Sequence, residues 1–231
     1  NTTGANNTGL GHQALKTNTT ASANTGVGYY ALYANTTGEY NAAVGHQALD
    51  SNTTGDSNTA VGNRALQSNT TADNNTAVGS NALDTNTTGA QNTALGVSAL
   101  YANTTAAYNV AIGYRALTAN TTGAQNTAVG SFALEDITTA SYCTAIGYNG
   151  LRNNAAANNT ACGYAGLQDN TTGEQNTAVG SYALVANTTG TENTCVGYVT
   201  GDAITTGSYN SMLGMYAGSS LTTGGSNSCV G

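Results

Sequence analysis

The sequence has no proline and no tryptophan, and only 6% of its 231 residues are charged and 6% aromatic. Soluble domains usually carry about 25% charged residues, so this chain is solvated by other means. No run of about 18 consecutive apolar residues occurs, which excludes a membrane-spanning helix and membrane insertion. Disordered chains are rich in proline, lysine and net charge, and this composition does not fit them. The only cations are Lys16, Arg64, Arg115 and Arg152, against a net charge of −7. Four scattered cations cannot follow a phosphate backbone or form a polybasic patch, so nucleic acid is excluded as a partner, as is an anionic membrane surface. No initiator methionine or charged leader segment opens the chain. It begins on Asn1-Thr2-Thr3-Gly4 and stops on Asn227-Ser228-Cys229-Val230-Gly231, which reads as a segment of a longer chain.

What the sequence does have is asparagine, threonine and 30 glycines in a strict order. Asn-Thr-Thr starts at Asn1 and recurs at Asn18, Asn35, Asn52, Asn69, Asn86, Asn103 and Asn120, a step of 18 − 1 = 17 residues. The register continues at Ile137, slips by one to Asn153, and resumes at Asn170, Asn187, Ile204 and Leu221. One unit reads N-T-T-G-x-x-N-T-A-V-G-x-x-A-L-x-x, and its positions are numbered below as columns one to seventeen.

Each column faces the same neighbours in every coil, so its tolerance reports its environment. Column eleven is always glycine, from Gly11 to Gly231, which predicts a corner with positive φ or close backbone approach. Column ten is Val, Leu, Ile or Cys throughout and reads as a buried apolar rank. Column fifteen is Leu up to Leu184 and then Gly201 and Gly218. Column one accepts Ile137, Ile204 and Leu221, which points it inward. Strand alternation then places columns one, three, eight and ten inside, and two, four, seven and nine outside. Column seven is Asn except at Cys143, and stacked Asn side chains can hydrogen-bond from coil to coil.

A 17-residue unit is too short for a helical repeat. Short Thr/Val segments broken by Gly and Asn read as strands and turns. The expected fold is all-β: a parallel β-solenoid, or β-roll, of about fourteen 17-residue coils, with two or three strands per coil, forming one continuous array over residues 1–231. A single coil of this kind cannot bury enough surface alone and depends on its neighbours.

The pattern N-T-A-V-G-x-x-A-L…N-T-T-G, seen best at Asn58-Thr59-Ala60-Val61-Gly62 and Asn126-Thr127-Ala128-Val129-Gly130, resembles the repeat regions of bacteriophage tail fibres. It is also similar to the S-V-A-I-G repeats of trimeric autotransporter adhesin heads, with a longer coil. The resemblance covers essentially the whole chain. It implies a left-handed β-roll, trimeric, working in surface attachment on a cell or virion.

No catalytic constellation of acid, base and nucleophile can be assembled, so an enzyme is not expected, nor a cofactor. His12 and His46 share column twelve two coils apart, roughly 10 Å, too far to share a zinc ion. The calcium-binding G-G-x-G-x-D repeat is absent, and no metal site is expected. Cys195 and Cys229 are likewise two coils apart, beyond disulfide reach; free thiols acting as small hydrophobes are the preferred reading for all four cysteines. The Asn-Thr-Thr triplets are formal glycosylation sequons, but sugars one coil apart would crowd, and a structural Asn–Thr ladder is favoured. The turn-column tyrosines (Tyr29, Tyr30, Tyr114, Tyr148, Tyr164, Tyr198) could stack on a cell-surface glycan, although a spacer role is preferred.

Two functions follow from the outward columns as assigned. The first is an extracellular fibre or adhesin shaft, a homotrimer or lateral bundle. It would associate through the small residues of column nine: Ala60, Ala77, Ala94, Ala111, Ala128 and Ala145. The alternative is an ice-binding solenoid that uses the column-two rank: Thr2, Thr19, Thr36, Thr53, Thr70, Thr87, Thr104 and Thr121. Against that alternative, the flanking outward column is expected to be Gly/Ala instead of a second Thr rank.

Overall fold

A computed structural model describes residues 2–231. The chain divides into two compact units, Asn1–Arg115 and Ala116–Gly231, and each is a parallel β-solenoid with no helix among the described residues. The first unit contains β1 (Thr8–Leu10), β2 (Thr25–Val27), β3 (Ala42–Val44), β4 (Thr59–Val61), β5 (Thr76–Val78), β6 (Thr93–Leu95) and β7 (Val110–Ile112). The second contains β8 (Thr127–Val129), β9 (Thr144–Ile146), β10 (Thr160–Cys162), β11 (Thr177–Val179), β12 (Thr194–Val196), β13 (Ser211–Leu213) and β14 (Ser228–Val230). Consecutive strands within a unit pair parallel and in register: Thr59 beside Thr76, Ala60 beside Ala77, Val61 beside Val78.

Each coil holds one three-residue strand, where two or three were expected. The reason is backbone conformation. Columns six, thirteen and fifteen lie in the left-handed region, as at Ser57 (φ 57°), Arg64 (φ 56°) and Leu66 (φ 52°), and a strand cannot run through such residues. Between strands the coils still bond to one another: Leu32 N donates to Ala48 O at 3.0 Å and Thr36 N to Thr53 O at 3.0 Å. A left-handed leucine costs roughly 1–2 kcal/mol. Complete burial of the column-fifteen side chain, as at Leu66, contributes about 1.5–3 kcal/mol in return. Column eleven is the corner the sequence predicts. Gly130 has φ 134°, and a Cβ there would run into the carbonyl oxygen of Gly147 in the next coil.

The strand's in–out assignment is the reverse of the expectation. Ala43, Ala60, Ala77 and their column-nine equivalents are completely buried, while Val44, Val61 and Leu95 of column ten are exposed. Column eight faces out with column ten, and column three is exposed. Columns four and seven lie inside, where the sequence placed them outside. Column nine is small because column fifteen fills the space beside it. A Cβ on Gly26 would lie 3.3 Å from Leu15 Cγ and 3.2 Å from Ala31 O, so Gly and Ala fit and larger residues do not.

Opposite this thin apolar layer lie two buried asparagine ladders. In column one, Asn52 Nδ2 donates to Asn35 Oδ1 of the preceding coil and to Gly55 O of its own, both at 2.9 Å. In column seven, Asn58 N donates to Asn41 Oδ1 at 2.9 Å, and Asn58 Nδ2 donates to Ala72 O at 2.8 Å. Buried polar groups are tolerated when their hydrogen bonds are made, and the 17-residue period supplies the same partners in each coil. Asn1 lies outside the described residues. Where Ile204 replaces the ladder residue, Asn187 Oδ1 is left buried and without a partner.

The coil that breaks the period is aligned differently from the sequence reading. Asn154, not Asn153, holds column one: it is completely buried, and Asn170 Nδ2 donates to its Oδ1 at 2.6 Å. Asn153 is exposed in column seventeen, and Ala155 holds column two. The missing residue is therefore that of column three.

Candidate functional site

The outward surface of each sheet consists of columns eight and ten. In the first unit column ten presents Leu10, Val27, Val44, Val61, Val78, Leu95 and Ile112. In the second it presents Val129, Ile146, Cys162, Val179, Val196, Leu213 and Val230. Column eight beside it is Thr except for Ala42, Val110, Ser211 and Ser228. No charged residue occurs in either column. Val44 is 40% exposed and Leu95 45%, while Val27, Val78, Ile112, Val129 and Val196 are half-buried, so column ten forms a partly uncovered rank, aliphatic except at Cys162. Over β12–β14 this face dips into an apolar hollow bordered by Val196, Leu213 and Val230, with Thr194, Ser211 and Ser228 in column eight.

The predicted association strip is not on the surface. Ala60, Ala77, Ala94, Ala111, Ala128 and Ala145 are all completely buried and cannot touch a partner. The sequence signal that located the true outward columns was the mostly β-branched character of columns eight and ten, read there as a core.

The predicted threonine rank does face outward. Thr2 and Thr19 are exposed, and Thr36, Thr53, Thr70, Thr87, Thr104 and Thr121 are half-buried. Column-two hydroxyls donate to the main chain of the next coil, Thr19 Oγ1 to Thr36 O at 3.1 Å and Thr53 Oγ1 to Thr70 O at 3.0 Å. Their neighbours outward are the exposed column-three threonines, not a Gly/Ala column. The rank is interrupted at Ala155, where the sequence reading had Asn154.

Aromatic side chains stack along columns twelve and thirteen. In the first unit Tyr29 lies between His12 and His46, with ring centroids 5.3 and 5.1 Å away and planes within 10° and 9° of parallel. In the second, Tyr148 stacks on Tyr164 at 5.3 Å, and Tyr182 meets Tyr164 edge-on at 5.2 Å. Stacking of this kind covers ring faces that a sugar would need, which weakens the glycan reading.

Charge and thiol chemistry are confined. Arg64 pairs with the buried Asp84 at 3.2 Å, and Arg152 with the buried Glu135 at 2.7 Å. Burial holds the Asp84 carboxyl above the ordinary carboxylate range, with Arg64 partly opposing it. All four cysteines are free: Cys143 and Cys195 are buried, Cys229 is half-buried and Cys162 is exposed. Burial pushes the Cys195 thiol up to about 12 and raises Cys143 as well, so neither forms the reactive thiolate at neutral pH. Among the described residues no group of three His, Cys, Asp or Glu side chains could hold a metal ion, and no helix is long and apolar enough to cross a membrane. Comparison with models of protein families, with curated proteins and with solved structures returned no match.

Proposed function

We propose that the chain is an extracellular fibre or adhesin shaft that associates with further copies of itself, as a homotrimer or a lateral bundle, through the outward faces of its sheets. The observation that supports this reading is the outward rank of column ten, exposed or half-buried, aliphatic except at Cys162 and flanked by uncharged column eight. Extended apolar patches on soluble proteins mark interaction surfaces. Columns eight and ten offer on the order of 100 Å² per coil, so seven coils present about 700 Å², near the ~800 Å² per partner of a standard interface. A second copy suits this face because it is as flat, uncharged and periodic as the face it would meet. The association surface thus moves from column nine to column ten.

Sedimentation of the purified chain tests the reading. The expected mass is a multiple of 23.0 kDa. Val61→Lys with Val78→Lys and Val129→Lys with Val179→Lys should give a monomer with an unchanged circular dichroism spectrum, because these side chains point away from the coil. A monomeric unmutated chain overturns the reading.

A second reading, ice binding, gains from one observation: columns two and three form two adjacent outward Thr ranks. The missing second rank had been the argument against it. The column-two donors are already committed to the backbone, which leaves methyl groups and lone pairs to face ordered water. Thermal hysteresis that is abolished by Thr53→Tyr and Thr87→Tyr would favour it, and absence of hysteresis in the unmutated chain would remove it.

A further inference from the structure

We propose that the stacked tyrosines of the second unit are an oxidative cross-linking site, at which a one-electron oxidant joins Tyr148 to Tyr164 as dityrosine and so staples one coil to the next. The rings are 5.3 Å apart with planes 15° from parallel, and they are 42% and 45% exposed. They are therefore in contact with each other and open to an oxidant. Tyr182 stands 5.2 Å beyond Tyr164; its proximity and hydrogen bond raise the Tyr164 phenol above its ordinary value.

The chemistry balances with a peroxide as terminal oxidant. Each phenol loses one electron and one proton to give a phenoxyl radical. The two radicals form a C–C bond between ring carbons ortho to oxygen, and proton shifts restore both phenols. Two electrons and two protons reduce one hydrogen peroxide to two waters. Holding two reacting groups in contact converts a bimolecular encounter into an internal step, which greatly raises its rate.

Geometry separates this pair from the other tyrosines. Tyr164–Tyr182 and Tyr198–Tyr216 also span successive coils, at 5.2 and 5.8 Å, but meet edge-on, with planes 61° and 81° apart, whereas Tyr148 and Tyr164 are nearly parallel. Tyr40 and Tyr142 in column six are more exposed, at 66% and 60%, and lie away from these stacks. Tyr29 and Tyr30 approach to 4.4 Å, but they share one coil, so coupling there would join nothing along the solenoid. Tyr148 and Tyr164 lie on successive coils, and the second of these is the short coil that lacks its column-three residue. The link therefore falls at the irregularity in the period. This inference does not depend on the fibre reading.

The test is to treat the dilute full chain with a haem peroxidase and hydrogen peroxide, then denature and digest it with trypsin. Cleavage after Arg152 separates Tyr148 from Tyr164, so the link joins two tryptic peptides and lowers their summed mass by two hydrogens. The expected result is dityrosine fluorescence with a Tyr148–Tyr164 link, in a yield independent of protein concentration. The link should vanish in Tyr164→Phe, which keeps the ring stack, and persist in Tyr142→Phe. Cross-links centred on Tyr40 or Tyr142, a yield that scales with concentration, or no dityrosine would overturn the proposal.

Discussion

Met212 occupies the room that Gly218 vacates: a Cβ on Gly218 would lie 2.7 Å from Met212 Sδ. The same exchange occurs one coil earlier, where a Cβ on Gly201 would lie 2.8 Å from Cys195 Sγ and 3.1 Å from Ile204 Cδ1. In the eleven earlier coils the pair is Ala (or Gly) in column nine with Leu in column fifteen. Column nine is thus limited by volume inside the coil, which is why its small residues do not mark an interface. Gly218 at φ 68° shares the left-handed conformation of the column-fifteen leucines, so a leucine fits that backbone if space is made. Met212→Ala alone should cost about 2–4 kcal/mol through a cavity, and Gly218→Leu alone about 1–3 kcal/mol through overpacking. The double variant should recover most of both losses. Thermal or urea unfolding of the four proteins measures the coupling, and simple additivity would contradict the exchange.

Neighbouring positions on one strand should respond oppositely to substitution. Ala94 is completely buried and Leu95 is 45% exposed. Ala94→Leu should destabilise by about 1–3 kcal/mol, whereas Leu95→Thr should change the stability of the isolated chain by no more than about 0.5 kcal/mol. Unfolding midpoints in dilute solution decide this. The reverse ranking would restore the in–out assignment read from the sequence.

Acid should stabilise the fold before it harms it. Burial raises Asp84, with Arg64 opposing, and raises Asp50, with a hydrogen bond from Gln67 and the nearby His46 opposing. A carboxyl with a raised folded pKa binds its proton more tightly folded than unfolded. Stability therefore increases as pH falls through the folded pKa, and the gain is complete below the unfolded one. The melting temperature should rise as pH falls from neutrality towards the ordinary carboxylate range, and Asp84→Asn should flatten that rise. A melting temperature that falls monotonically with acidification would rule this out.

Folded molecules should carry no N-linked sugar on the Asn-Thr-Thr triplets. Asn52 and Asn120 head such sequons and are completely buried, and a glycan on Asn52 Nδ2 would displace its bond to Gly55 O. Protein made in a eukaryotic secretory pathway should separate into a protease-resistant fraction unmodified at these asparagines and a protease-sensitive one glycosylated there. An N-glycan at Asn52 in the resistant fraction would show that this side chain can leave the ladder.

The sequence by itself determined the period, the parallel solenoid, the glycine corner at Gly130 and its equivalents, and the asparagine ladder of column seven. Each follows from a backbone or hydrogen-bond requirement repeated identically from coil to coil, so it is visible in one column at a time. Only the tertiary structure decided which side of the strand faces inward. Hydropathy placed Val61 inside and Ala60 outside, but the interior is already filled by Leu66 and its equivalents from the far side of the coil and by asparagines that bond one another. What fits beside them is a methyl group. That limit is set by residues six positions away in the chain and by the coils on either side, and no single column records it.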